Sequence, residues 1–153
     1  MPAITALLHT ENDALRLGRT LETLYPCDDV LIVDHGSRDG TVRLAREYGA
    51  QVVDASPGPY LPATSSAWIL CLDPHESLTE SLAATLYEWK SLPPAAAAFS
   101  VFLREETAEG WIEIPTAQTR LIPPDWTHWE GRFPVTDRFA LALEGELLRF
   151  AFP

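Results

Sequence analysis

Lysine is almost absent from this chain: Lys90 stands alone among 11 basic residues, against 22 acidic ones, for a net charge of −11. The arginines are scattered rather than clustered, so the surface has nothing to hold a phosphate backbone, and nucleic-acid binding is excluded as its task. Cysteine is scarce too. Cys27 and Cys71 form neither a disulfide framework nor a metal-ligand spacing, and Cys71 falls inside an apolar run where a buried thiol is expected. A reduced, cytoplasmic setting is the expectation. No run approaches the ~20 apolar residues that cross a bilayer, so no membrane span is expected. The opening MPAITALLHTEND turns polar after Leu8, too early for a signal peptide. There is no internal repeat, and no low-complexity tract beyond residues 95–98.

What remains is a chain of 153 residues, 46% hydrophobic, with a mean hydropathy of −0.03: enough for one domain with a substantial core. Its pattern is α/β. Residues 3–8 and 30–33 are short apolar runs, and 51–53 a third. Between them, residues 12–24 carry Leu17, Leu21 and Leu24 on one helical face, with Asn12 or Asp13 available as cap. Residues 41–48 make a second helical segment that stops at Gly49. The spacing predicts βαβαβ with parallel strands. A proline- and serine-rich loop follows over 54–67, then a strand over 68–72 and a helix over 78–90 that Ser77 or Thr79 can cap. Beyond residue 99 the pattern breaks into short strands, FSVFLRE, GWIEI, TRLI and WEGRF. The tail RFALALEGELLRFAF is expected to close as a hairpin about its Glu-Gly-Glu centre.

In an open parallel sheet, ligands bind beyond the carboxyl ends of the strands. Three polar stretches fall at those ends: HTEND, DHGSRDG and DPHE. Asp34 either accepts hydrogen bonds from a ligand or caps the helix behind it, and Gly36 would admit a ligand close to the backbone. Asp73, His75 and Glu76 place two carboxylates and an imidazole within four positions, a donor set suited to Mn²⁺, though acids are also common where helices begin. Trp111, Trp126 and Trp129 either stack on a sugar or fill a small core or a contact between subunits, which leaves a homo-oligomer open. His9, His35 and His128 have no partner visible in the sequence.

The stretches ITALLHTENDALRLGRTLETL, VLIVDHGSRDGTVRLAREYGAQVV and WILCLDPHESLTESL resemble the N-terminal half of family 2 glycosyltransferases of the branch acting on lipopolysaccharide core sugars. TRLIPPDWTHWEGRF is similar, more loosely, to that family's R-L-F segment. The resemblance implies a three-layer α/β/α, Rossmann-like GT-A fold with a mixed sheet and an irregular C-terminal third, its nucleotide-binding half over 1–92 and its acceptor half over 93–153. It implies a nucleotide-diphosphate sugar as donor, a glycan or lipid-linked acceptor, and Mn²⁺ or Mg²⁺ at the diphosphate. Thr10, Asn12, Asp13, Asp34, Gly36 and Asp73 would line the nucleotide pocket, with Asp34 on the base, and Asp73 and His75 would hold the metal. The chain departs from the family in several places. The D-x-D is Asp73-Pro74-His75, a D-x-H of the kind polypeptide N-acetylgalactosaminyltransferases use. No arginine or asparagine occurs between Val53 and Trp68. The expected His-Glu pair is GRFPVTDRF, leaving Glu130 and Asp137 as candidate bases and the catalytic residue unassigned. The alternative is a non-catalytic relative binding a nucleotide, sugar or protein. A phosphate-receiving signalling domain fits worse, because no lysine stands at a late strand end.

Overall fold

The computed structural model describes residues 2–56 and 66–153. In chain order these form β1 (Ile4–Thr10), α1 (Ala14–Glu22), β2 (Asp29–Asp34), α2 (Thr41–Glu47), β3 (Gln51–Asp54), β4 (Trp68–Leu72), β5 (Glu76–Leu78), α3 (Glu80–Lys90), β6 (Phe99–Thr107), β7 (Gly110–Ile122), β8 (Trp129–Glu130), β9 (Phe133–Pro134) and β10 (Leu141–Arg149). The expected βαβαβ start is present. Most of the expected 54–67 loop, residues 57–65, lies outside the described residues.

Eight strands make one sheet in the order β3-β2-β1-β4-β7-β6-β10-β5, with β8 and β9 as a separate ribbon. The first four are parallel to their neighbours, and β7 then runs antiparallel to both β4 and β6. Side chains alternate across the sheet as a period of two requires. Ile4, Ala6, Leu8, Ile32, Leu70 and Leu121 point to the face carrying α1, α2 and α3, where Leu17, Leu21, Leu82, Leu86 and Trp89 meet them. Leu7, Leu31, Val33, Ile69, Cys71 and Ile122 point the other way, with Trp126, Trp129 and Phe133 packed against them. The tryptophans at 126 and 129 are thus core material, the plainer of the two readings.

The single lysine is structural. Lys90 Nζ donates to Asp28 Oδ2 at 2.9 Å and to the Pro26 carbonyl at 3.1 Å, and Asp28 Oδ2 also accepts the Ile4 amide at 2.8 Å. One ion pair therefore ties the end of α3 to the start of β1.

The later elements differ from the sequence reading in four ways, one being that WEGRF is not one strand but the turn of the β8–β9 ribbon. The helix expected from residue 78 begins at Glu80, because residues 76–78 are the strand β5. Thr79 caps the helix, accepting the Leu82 amide at 3.2 Å. GWIEI and TRLI are not two strands but parts of β7. Pro115 is accommodated where three residues of β7, 115–117, face the single Phe102 of β6 between the pairs Val101↔Gln118 and Leu103↔Ile114. That is a bulge, the place where a strand tolerates proline and bends.

The tail is not a hairpin. β10 is one strand, parallel to β6 and antiparallel to β5, and Gly145 (φ +93°) forms an irregularity within it rather than a turn. Glu-Gly-Glu matches a turn signal, but the glycine serves a close approach: a Cβ would lie 2.4 Å from the Leu82 amide nitrogen.

Candidate functional site

The parallel register brings the expected strand ends together. Thr10 pairs with Asp34 across β1 and β2, Leu8 pairs with Leu72 across β1 and β4, and Asp73 follows immediately. Chain connections leave β1 to opposite sides, first toward β2 and later toward β4, so these residues sit at the point where the strand order reverses.

The Asp34 side chain works from beneath this surface. It is 4% exposed, and its carboxylate accepts the Thr10 hydroxyl at 2.8 Å, the Ser37 amide at 2.9 Å and the Ser37 hydroxyl at 2.5 Å. Burial would raise its pKa, but the bonds from Ser37 and Thr10 outweigh it and hold the carboxyl below its ordinary 3.8. The two loops are then stitched to each other. Asn12 takes a left-handed backbone (φ +54°), which asparagine tolerates. There its amide donates to Ser37 Oγ at 2.9 Å and its Oδ1 accepts the Arg38 amide at 2.8 Å. Asp13 donates its amide to Thr41 Oγ1 at 2.9 Å. Asp39, the second acid of DHGSRDG, accepts the Ala14 and Thr41 amides at 3.2 and 3.0 Å and also bonds the Thr41 hydroxyl, covering first-turn donors of α1 and α2 alike. Above this floor Gly36 (φ +75°) is exposed, with open space where a Cβ would stand.

A pair of histidines flanks the floor. His9 Nδ1 and His35 Nε2 are 2.8 Å apart, one ring donating and the other accepting. Burial first, then the charges of Arg132 and His35, push the His9 pKa from 6.5 down to about 4, so this ring is neutral at physiological pH. Its partner is half-buried and stands at the end of β2. Adjacent parallel strands brought the two together across 26 residues, a neighbourhood that only the strand register discloses.

The third strand end carries the expected metal motif. His75 Nδ1 lies 3.2 Å from Asp73 Oδ1 and His75 Nε2 lies 3.5 Å from Asp13 Oδ1, so Asp73, His75 and Asp13 converge. The His75 amide also donates to Asp73 Oδ1 at 2.9 Å. No group of three or more His, Cys, Asp or Glu able to hold a metal by itself is found among the described residues. Asp73 and His75 supply one oxygen and one nitrogen donor. That number fits an ion whose remaining positions are filled by phosphate oxygens and water, as divalent ions at nucleotide sites commonly are.

Glu76, read as a third acid of the cluster, is turned inward. It is fully buried, and its two oxygens accept from Arg120 Nη1 at 2.7 Å and Nη2 at 2.9 Å, with Arg149 Nη2 at 3.0 Å. Burial would raise its pKa, but Arg120 and then Arg149 reverse that and hold it below its ordinary 4.5. Glu76 Oε1 in turn accepts the Asp73 amide at 2.9 Å, and Arg120 Nη1 donates to the Cys71 carbonyl at 3.1 Å. An arginine 44 residues away thus holds the D-x-H loop in shape. Sequence reasoning missed it; the faint signal was a cation inside the apolar run TRLI.

Of the two candidate bases, Asp137 is occupied: its Oδ1 accepts the Phe139 amide at 2.8 Å and its own amide donates to Thr119 Oγ1 at 2.8 Å. Glu130 is exposed and lines a groove with Gln118 and Phe133.

Known proteins share this architecture. The crystal structure of S. aureus TarS 1–349 in complex with UDP-GlcNAc matches 99% of this chain and 59% of that one at a TM-score of 0.70 and 12% identity. Glucosyl-3-phosphoglycerate synthase from Mycobacterium tuberculosis, in complex with Mn²⁺, UDP and phosphoglyceric acid, matches 68% of this chain and 43% of that one at a TM-score of 0.50 and 18% identity. The protein therefore has the GT-A-like glycosyltransferase fold, an open mixed sheet of the α/β class. In sequence it is similar to an uncharacterized glycosyltransferase of Rickettsia felis, 33% identical over 90 residues. That match covers 54% of this chain and 32% of the relative, so the chain spans about a third of the length of the curated relatives it matches. No family model matches it. No helix among the described residues is long and apolar enough to cross a membrane.

Proposed function

We propose that this chain is a glycosyltransferase domain of the family 2 type that binds a nucleotide-diphosphate sugar across the ends of β1, β2 and β4. The observation that carries this reading is the convergence of Thr10, Asp34 and Asp73 at the reversal point of the sheet, on a fold shared with a protein crystallised with UDP-GlcNAc. Residues 1–92 would serve the donor and 93–153 the acceptor, a glycan or a lipid-linked sugar.

In this reading Asp34 shapes the nucleotide floor through Thr10 and Ser37, while Asn12, Asp13 and Gly36 form its rim. His35, half-buried beside the floor, is the side chain best placed to present donors and acceptors to a base. Asp73 and His75 would hold Mn²⁺ or Mg²⁺, which supplies Lewis acidity at the diphosphate when bound. The protein's own part is to orient the donor over a rigid floor, to keep the D-x-H loop locked through Glu76 and Arg120, and to offer Glu130 as the carboxylate that takes the acceptor hydroxyl's proton. A non-catalytic role for the same scaffold is the second reading. It is favoured by the absence of an arginine between Val53 and Trp68 and by the replaced His-Glu pair.

Calorimetric titration with UDP, with and without Mn²⁺, separates the two. Binding that requires the metal and disappears in His75→Ala supports the donor site. Absence of heat with UDP, GDP and CDP in both conditions would leave a scaffold without a donor. His75→Ala is the better probe than Asp34→Ala, since the latter also removes the bonds that build the floor.

A further inference from the structure

We infer that the groove between β7 and the β8–β9 ribbon takes an uncharged, hydroxyl-rich ligand, and that Glu130 turns phosphate-bearing molecules away from it. As a statement about the acceptor, this rests on the glycosyl-transfer reading above.

The groove's position follows from the register. Because Ile69 pairs with Ile122 and Leu70 with Leu121, the antiparallel β7 carries Arg120 level with Cys71 and takes Gln118 past the end of β4, beside the Asp73 loop. The bulge at residues 115–117 interrupts the ladder with β6 here, and residues of the β8–β9 ribbon, Glu130, Phe133 and Pro134, supply the other wall. The resulting open groove has a volume of about 530 Å³, enough for one or two sugar rings. Its lining is shared with the donor side: Phe133 lies over the Arg120 guanidinium at 4.1 Å, and Gln118 Oε1 accepts from Arg120 Nη2 at 2.9 Å.

The chemistry of the walls selects the ligand. Thr116, Gln118 and Thr136 offer two hydroxyls and an amide, and Phe133 and Ile114 offer apolar surface. This combination suits a polyol, whose hydroxyls both donate and accept while its C–H faces seek apolar contact. With its oxygen committed to Arg120, the Gln118 amide has its NH₂ left to donate. Phosphate asks for cations or clustered N–H donors instead. Arg120, whose guanidinium bonds Gln118, is already engaged by Glu76 and the Cys71 carbonyl and is covered by Phe133, and Arg138 lies against the Phe139 ring rather than in the lining. Arg132, in the ribbon's turn, does not line the groove and acts on His9. Glu130 is the charged group among the lining residues, and its sign repels a phosphate.

The test is a ¹⁵N–¹H NMR titration of the whole chain, without nucleotide, using methyl β-glucoside and glucose 6-phosphate as probes. The glucoside is expected to shift the Gln118 side-chain amide and the Phe133 and Thr136 backbone amides, with the phosphate binding about tenfold more weakly. In Glu130→Gln that gap is expected to close. Equal or tighter binding of the phosphate by the native chain, a gap untouched by Glu130→Gln, or silence of those amides toward both probes would overturn the inference. A glucoside response in a chain that gives no heat with any nucleotide would overturn the transfer reading and still support the groove as a carbohydrate site.

Discussion

His9 shows how one side chain can couple the site to acidity. Its folded pKa of about 4 lies below the unfolded 6.5, so between those values the unfolded chain binds the extra proton and the native state does not. The stability this neutral ring contributes is present above pH 6.5 and drains away as the pH falls toward 4. Replacing His9 by Gln keeps a hydrogen-bonding group opposite His35 but removes the titration. The drop in the urea midpoint between pH 7 and pH 5 is therefore expected to shrink in His9→Gln. An unchanged drop would mean that the ring is solvated in the native state.

At the level of elements, the contact between β10 and α3 depends on the absence of a side chain. Gly145 combines a positive φ with a backbone that passes directly over Ser81 and Leu82, so Gly145→Ala meets both a conformational penalty and a collision with main-chain atoms that cannot swing away. A loss of about 2 kcal/mol or more is expected, read as a lower denaturant midpoint with little change in slope. This is also where sequence reasoning reached its limit. Elements joined by local rules were legible: the leucine spacing of α1, the β-branched run of β2 and the polar stretches at strand ends all follow from nearest neighbours. The Glu-Gly-Glu of the tail matches a turn signal equally well, and only the packing of α3 against it decides for a strand. Likewise DHGSRDG revealed that something happens at the end of β2. It did not disclose that Asp34 faces down into Thr10 and Ser37 while His35 pairs with His9, because that depends on which neighbour strand supplies the partner.

Taken as a whole, the molecule is held across its two halves by the cluster of Glu76, Arg120 and Arg149. Removing one partner of such a buried pair leaves a charge without compensation, and Arg120→Met is expected to cost about 3 kcal/mol, Arg149 still covering part of the carboxylate. The pH profile should change with it. In the native chain Glu76 is held below 4.5, so its contribution is present above that pH and lost as the pH falls through the folded value. Without Arg120 the carboxyl retains its proton to higher pH, and the acid-induced loss of stability should flatten. Urea melts of both chains from pH 7 down to about pH 2.5 would show this; parallel profiles would assign the cluster no such role. Beyond the cation inside TRLI, none of this network shows in the sequence, where an isolated Glu after D-P-H looks like one more acid at the start of a helix.

The same cluster sets an order of events in time. Glu76 lies in β5, whose ladder partners, residues 147–149, are translated long after it: Arg149, which bonds Glu76, follows it by 73 residues. Until they arrive, β5 has no ladder partner and Glu76 lacks Arg149, although every donor-side residue has already been made. Pairings this distant in the chain form slowly compared with helices and adjacent strands. The donor side is thus translated well before the strand that completes it, and a chain interrupted before β10 would carry all the residues named for nucleotide binding without the partners that hold the D-x-H loop in shape.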